Sequence, residues 1–157
     1  MAGLGKDLGG FLGQAIIARL ATSHDGQPYV VPVWFHYDGE AFWIVARSRS
    51  EYVRHIQANP RVALSIARDD GDLSRVLVLG RAEIVEGPSR TGRWRELGRA
   101  MARRYLGEQD GEAYFQRTLN QPRYLIRIVP ETLRSWRGRG QWHPRYYVGE
   151  EGEGAAH

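Results

Sequence analysis

Two Asp-Gly turns set close together between short apolar segments constrain the fold of this chain more than any other feature of its sequence. Asp25-Gly26 separates segment 15–22 from segment 28–37, and Asp38-Gly39 separates that second segment from 41–47. Asp-Gly supplies the positive φ that a tight hairpin turn needs. Because the spacing between the segments is too short for βαβ crossovers, the pattern predicts an antiparallel meander and excludes a parallel α/β sheet.

The rest of the sequence adds three further strands and two helical regions. A helix is predicted over 49–59, and Pro60 ends it because the residue before a proline avoids the α conformation. A change to helical period, with Trp94, Leu97, Met101 and Tyr105 in one stripe, predicts a longer helix before the last strand. Further strands are predicted over 61–68, 73–85 and 123–130. The second of these is expected to bend at Gly80, and 133–136 is expected to extend the third. A second short helix is predicted over 111–118. The chain is therefore expected to be mainly β (α+β), a six-stranded antiparallel barrel with one short helix after strand 3 and a helical insertion before the last strand.

The length and composition indicate one domain. A chain of 157 residues favours a single core, with 1–13 as an N-terminal arm or helix, 14–147 as the barrel and 148–157 as a disordered acidic tail. No apolar run reaches the roughly 18 residues of a membrane span, and no secretory signal is evident. The absence of cysteine excludes disulfides, thiolate metal sites and thiol nucleophiles, and it suits a cytoplasmic protein. The histidines lack metal-ligand spacing, so no metal is predicted, and no catalytic acid or base can be identified.

The positive charge of the chain is carried almost entirely by arginine. The formal net charge is +4, and Lys6 is the one lysine among 22 basic residues. Guanidinium groups suit phosphate and carboxylate ligands, so the modest excess fits an anionic ligand. The charges are too scattered among acids for a nucleic-acid partner to be expected.

A cluster of arginines and serines stands where the predicted strand 41–47 gives way to the helix. Arg47, Ser48, Arg49 and Ser50 lie beside the free N–H groups and the positive dipole end of that helix. These groups predict an anion site. The alternative is a serine helix cap with arginines that face solvent, and the spacing alone leaves both interpretations open.

Four strings in the sequence carry a family resemblance. They read ARLATSHDGQPYVVPVWF at 18–35, SEYVRHIQANPRVALS at 50–65, GRAEI at 80–84 and YLIRIVP at 124–130. In this order and spacing, the chain over roughly 14–136 resembles the pyridoxamine 5'-phosphate oxidase-like FMN-binding split β-barrel family, which includes the F420-dependent deazaflavin oxidoreductases. The resemblance implies that the barrel is a split β-barrel.

The resemblance also implies a cofactor site between two subunits. Family members are homodimers that bind FMN, or the deazaflavin coenzyme F420, at their interface. The matching positions that would contact the phosphate or the ring are Val31, Pro32, Val33, Trp34, Val45, Ala46, Arg47, Ser48, Arg49, Ser50, Tyr52 and Arg54, with Arg75 coming from the partner chain and Trp136 from the C-terminal segment. The family often has a lysine just after the serine at the helix start, where this chain has Glu51 and Tyr52. Arg47, Arg49 and Arg54 are the candidates to compensate for that lysine.

The function implied by the resemblance is a flavin- or deazaflavin-dependent oxidoreductase. It would transfer hydride to or from a small organic substrate, and the cofactor would supply the redox chemistry. Two alternatives remain open. One is a non-catalytic module that holds FMN, heme or another planar anion, and the other is a small barrel that binds nucleic acid through arginine and aromatic surface groups.

Overall fold

The computed structural model describes residues 7–138, which form seven strands and four helices. None of these helices is long and apolar enough to cross a membrane. In chain order the elements are α1 (Leu8–Leu12), β1 (Ala18–His24), β2 (Gln27–Val33), β3 (His36–Tyr37), β4 (Phe42–Arg47), α2 (Glu51–Ala58), β5 (Arg61–Ala67), β6 (Arg75–Ser89), α3 (Trp94–Leu106), α4 (Glu108–Thr118) and β7 (Arg123–Trp136).

All seven strands belong to one antiparallel sheet in the order β2-β1-β5-β6-β7-β4-β3. The sheet curls around a core without pairing its two edge strands, β2 and β3. The predicted split β-barrel with a helix after the third main strand and a helical insertion before the last is therefore confirmed. The predicted arm at 1–13 contains α1. The predicted barrel was given the bounds 14–147, and its part beyond 138 lies outside the described residues, as does the predicted tail at 148–157.

The strand count differs from the prediction because the predicted second strand, 28–37, is divided into β2 and β3. Between them, Trp34 and Phe35 leave the sheet ladder. The Phe35 N–H donates to the Tyr105 hydroxyl at 3.3 Å, and the Phe35 carbonyl accepts from Arg104. These contacts with α3 replace strand pairing at this point, and the sheet gains a short seventh strand.

The longest pairing in the sheet joins β6 and β7, which bend at Gly80. The register shifts between Leu79 and Gly80, and a Cβ at Gly80 would stand 2.3 Å from the Val129 carbonyl oxygen. Only a residue without a side chain permits this approach of two backbones. The predicted bend is thus observed, and 133–136 does extend the last strand.

Alternate residues of the strands fill the barrel. In β1, Ala18, Leu20 and Thr22 are buried while the residues between them are partly exposed, and in β4 Ile44 and Ala46 point into the same core. This period of two is the pattern of a half-buried strand. The positions that alternate with Ile44 and Ala46, which are Val45 and Arg47, therefore lie on the outer side of β4.

The helical insertion α3–α4 packs a second, smaller core against that outer side. Trp94, Ala102, Phe115 and Leu125 are buried in it, and Trp34, Val45 and Tyr114 are partly buried around them. Trp94 and Met101 of the predicted stripe are each 2% exposed. The insertion thus covers the sheet where β4 meets β7.

A charged network fastens α3 to α4. Glu112 accepts hydrogen bonds from Arg99 at 2.6 and 2.7 Å and from Arg103 at 2.9 Å. These interactions, with that of Arg99 the largest and Gln116 also contributing, lower the pKa of Glu112 to about 2.

We expect Glu112→Gln to lower the melting temperature at neutral pH. Because the pKa of Glu112 is below its unfolded value, its contribution is present above about pH 4.5 and is lost as the pH falls towards 2. The melting temperatures of wild type and variant should therefore converge on acidification. Glu108→Gln is the control, since Glu108 is 86% exposed and 3.6 Å from Arg103, and it should have a smaller effect. Equal effects of both variants, or no convergence at low pH, would contradict the assignment.

Candidate functional site

An open cavity of about 400 Å³ lies on the outer side of β4, beneath the helical insertion. Its walls are mainly apolar and aromatic, and its polar groups are gathered at one end. The lining residues come from the segment before β1, the end of β2, β4, the start of α2, and α4: Ile17, Pro32, Val33, Trp34, Ile44, Val45, Arg47, Ser50, Tyr52 and Tyr114.

The aromatic wall of this cavity is Trp34, which is held in place by two tyrosines of the insertion. Its ring stacks on Tyr105 at 5.0 Å between centroids with an interplanar angle of 4°, and it meets Tyr114 edge-on at 5.5 Å. The Tyr105 hydroxyl in turn donates to the Ile16 carbonyl at 2.7 Å. Offset and edge-to-face ring contacts each contribute about 0.5–1.5 kcal/mol beyond buried area, so the orientation of Trp34 is well defined.

The polar end of the cavity is organised by Arg47. Its guanidinium donates to the Tyr114 hydroxyl at 2.9 Å and to Gln121 Oε1 at 3.0 Å. Arg47 and Ser50 also line a second cavity of about 370 Å³, together with Ser48, Arg49, Gln121, Pro122 and Arg123. The two cavities share Arg47 and Ser50 as lining residues, so that an apolar slot adjoins a pocket of guanidinium and hydroxyl groups.

The two adjoining cavities have a positive electrostatic character. Among the described residues that line them there is no aspartate or glutamate. Burial, and then the positive charge of Arg47, lower the pKa of Arg123. Burial raises the pKa of Tyr52, so this phenol is neutral at physiological pH and can donate a hydrogen bond.

Glu51, the acid at the start of α2, is paired with Arg54 outside the two cavities. Glu51 accepts a hydrogen bond from Arg54, and its carboxylate also lies 3.4 Å from His55 Nε2. These contacts, led by the Arg54 hydrogen bond, lower the pKa of Glu51. Glu51 is absent from the lining of both cavities, and so its charge does not oppose an anion there directly.

The structure brings most of the predicted site residues together. Pro32, Val33, Trp34, Val45, Arg47, Ser50 and Tyr52 line the first cavity, and Ser48 and Arg49 line the second. Ser50 begins α2 without capping it through its side chain. The side-chain cap of the alternative interpretation is therefore not formed, while Arg49 is exposed as that interpretation expected.

The remaining predicted residues lie elsewhere in the chain. Val31 packs at the edge of the barrel core, Ala46 is fully buried in that core, and Arg54 is occupied by Glu51. Arg75 and Trp136 are cross-strand neighbours on β6 and β7, with the guanidinium 5.6 Å from the ring centroid, and neither lines the two cavities. A contribution of Arg75 from a partner chain stays a prediction.

Six lining residues were missed by the sequence analysis: Ile17, Ile44, Tyr114, Gln121, Pro122 and Arg123. Tyr114 and Gln121 reach Arg47 from 67 and 74 residues away in sequence. The helical pattern at 111–118 predicts a helix but not where the helix docks. Arg123 begins a strand and is one of many arginines, so nothing local distinguishes it from a surface cation.

Comparison with known proteins gives one family. The pyridoxamine 5'-phosphate oxidase family model matches residues 5–137. An F420 reductase of known structure is 29% identical with a TM-score of 0.62, covering 82% of this chain and 95% of the reductase chain. A conserved hypothetical protein from Mycobacterium tuberculosis is 26% identical with a TM-score of 0.66, covering 91% of this chain and 90% of the other.

A more distant structure shares the fold alone. The heme storage protein HutZ from Vibrio cholerae is 22% identical with a TM-score of 0.63, covering 87% of this chain and 98% of HutZ. No curated protein matches the chain.

Proposed function

This chain belongs to the pyridoxamine 5'-phosphate oxidase family, and from that premise we propose that it is a flavin- or deazaflavin-dependent oxidoreductase. It binds FMN, or alternatively coenzyme F420, at a homodimer interface and transfers hydride to or from a small organic substrate. The observation that carries this proposal is that an aromatic-walled slot adjoins a pocket of arginine and serine groups and shares Arg47 and Ser50 with it. The similarity to an F420 reductase supports the deazaflavin alternative.

The apolar slot suits the ring system of such a cofactor. A planar tricycle needs flat apolar walls and a few polar groups at its edge. Trp34, Val33 and Val45 supply the walls, and the stacked Tyr105 keeps Trp34 from turning into the cavity. These side chains would orient the ring and exclude water from one of its faces.

The arginine and serine pocket suits the phosphate. Arg47 and Arg49 provide guanidinium groups, and Ser48 and Ser50 provide hydroxyl donors. When bound, the cofactor supplies hydride transfer. The Tyr114 hydroxyl accepts from Arg47 and keeps its own proton for a ligand in the slot.

An exposed apolar row across the sheet supports the homodimer. Val30, Ala21, Ala63 and Leu79 are successive cross-strand partners on β2, β1, β5 and β6, and Val30 and Leu79 are 63% and 47% exposed. Cross-strand partners share a face of the sheet, and exposed apolar side chains grouped on one face are typical of an interface. Arg75 lies on the same face of β6 as Leu79, since their positions differ by four and strand side chains alternate with a period of two, so a second copy seated here would meet it.

The first test is cofactor binding followed by turnover. We expect the purified protein to bind FMN or F420 saturably at micromolar concentration, seen as a shift of the cofactor's visible absorption bands. The loaded protein should then pass electrons from a reductant to an acceptor at a rate above that of free cofactor. Failure to bind either cofactor would contradict the proposal. Binding without turnover would assign the chain to the non-catalytic carriers instead.

The second test concerns the aromatic wall. We expect Trp34→Ala to weaken cofactor binding about tenfold, because loss of one aromatic contact removes about 0.5–1.5 kcal/mol and the wall also loses apolar area. Trp43→Ala is the matched control, since Trp43 is partly buried in the same cluster but does not line the cavity. Titration by absorption or fluorescence measures both. An unchanged dissociation constant for Trp34→Ala would remove Trp34 from the site.

The third test concerns the subunit interface. We expect Leu79→Glu to convert the dimer to a monomer in sedimentation at micromolar concentration, because dimerisation would bury the new charge without a partner. Leu106→Glu places the same charge on another exposed leucine, 42% exposed at the end of α3, and should leave the dimer intact. A wild-type protein that sediments as a monomer would contradict the proposed interface.

A further inference from the structure

Two arginines stand directly opposite each other where β4 pairs with β7. The antiparallel register places Arg47 across from Arg123, and like charges in directly opposed positions destabilise a sheet. Arg47 is exposed, but Arg123 is only 5% exposed, with its guanidinium 5.6 Å from the Trp94 ring centroid. A buried cation beside a second cation therefore needs a specific physical explanation.

The shared partner of the two guanidiniums is a neutral amide. Gln121 Oε1 accepts from Arg47 at 3.0 Å and from Arg123 at 3.1 Å. Within residues 7–138, neither arginine forms an ion pair with a carboxylate, although eleven contacts between a carboxylate and another arginine or a histidine, such as that of Arg99 with Glu112, are present. Buried charges are normally paired, and an amide oxygen offers only a partial charge.

We propose that Arg123 and Arg47 form a two-arginine phosphate site in which Gln121 holds both guanidiniums in place until a phosphate oxygen replaces its amide oxygen. The inference rests on the proposed function, because it assigns the phosphate of the cofactor to this pair. The ligand is a phosphate group, either the monoester of FMN or the diester of F420. Arg123 is a binding residue that no sequence pattern indicates.

Phosphate fits this pocket better than a carboxylate does. The donors come from more than one side: Arg47 and Arg123 from the strand pair, and Ser48 and Ser50 from the segment that leads into α2. Phosphate offers several oxygens to accept from them, and charge-assisted hydrogen bonds of this type are short and strong. The pocket of about 370 Å³ shares Arg47 and Ser50 with the apolar slot, so one ligand can occupy both.

The test compares each cofactor with its phosphate-free counterpart in the full chain. We expect Arg123→Gln to weaken FMN binding about 10- to 100-fold and to leave riboflavin binding unchanged. F420 and its phosphate-free deazaflavin, which keeps the ribityl chain, form a second arm, and the arm that shows the loss identifies the cofactor. Arg81→Gln removes one charge from an exposed position on β6 and should change neither constant.

A second variant keeps the proposal testable if Arg123→Gln does not fold. Gln121→Glu places a carboxylate between the two guanidiniums, so we expect it to raise the melting temperature and at the same time to weaken FMN or F420 binding at least tenfold. A purely structural role for the pair would raise the melting temperature in the same way without changing affinity for the phosphate. Loss of affinity for FMN and riboflavin to the same extent, or no loss for either phosphate compound, would overturn the proposal.

Inorganic phosphate separates this inference from the proposed function. We expect millimolar phosphate to raise the melting temperature of wild type, by mass action on the folded state, and not that of Gln121→Glu. If neither flavin nor deazaflavin binds while this phosphate effect is seen, the oxidoreductase proposal fails and the arginine site stands. An equal phosphate effect in wild type and Gln121→Glu would overturn the site itself.

Discussion

The antiparallel pairing of β4 with β7 is the interaction on which the candidate site depends. Its register sends Ile44 and Ala46 into the barrel core and leaves Val45 and Arg47 on the outer side. A slip of one residue would exchange these two sets, because successive strand residues face opposite sides of the sheet. The burial of the inner pair therefore fixes the position of the outer pair, and Val45 and Arg47 line the slot while Arg47 also lines the proposed phosphate pocket.

The helical insertion completes a site that the sheet alone leaves open. It covers the outer side of β4 with a small core around Trp94, and the same packing brings Tyr105 onto Trp34 and Tyr114 onto Arg47. The Arg99–Glu112 interaction holds α3 against α4, so the two tyrosines keep a fixed relation. The division of the second predicted strand belongs to the same arrangement, since Phe35 exchanges strand pairing for contacts with α3.

Much of the fold could be predicted because it is determined by residues that are neighbours in sequence. Part of the site could not be predicted because it depends on contacts between residues far apart in sequence. The Asp-Gly turns, the period-two strands and the apolar stripe on α3 are each determined by the residues of one short segment, and each is found in the structure. Arg47 and Ser50 could be predicted because they precede a helix start. Arg123 could not, because its role comes from the residue opposite it and from burial against Trp94, neither of which a neighbouring sequence position encodes. Ala46 is the opposite case. The family resemblance predicted it as a site residue, but the alternation of β4 points its side chain into the barrel core.

The acid at the start of α2 shows how positive charge is distributed around the pocket. The family resemblance places a basic residue just after Ser50, and this chain has Glu51 there instead. The Arg54 guanidinium pairs with that carboxylate, and Glu51 lines neither cavity. The cations that face the pocket come from the strand pair, where Arg47 and Arg123 are opposed without an acid between them. Since opposed guanidiniums repel each other and one of them is buried, an anion stabilises this arrangement more than it would stabilise a single exposed cation at a helix start. The proposed phosphate site therefore takes its positive charge from the strand pair and not from the start of the helix.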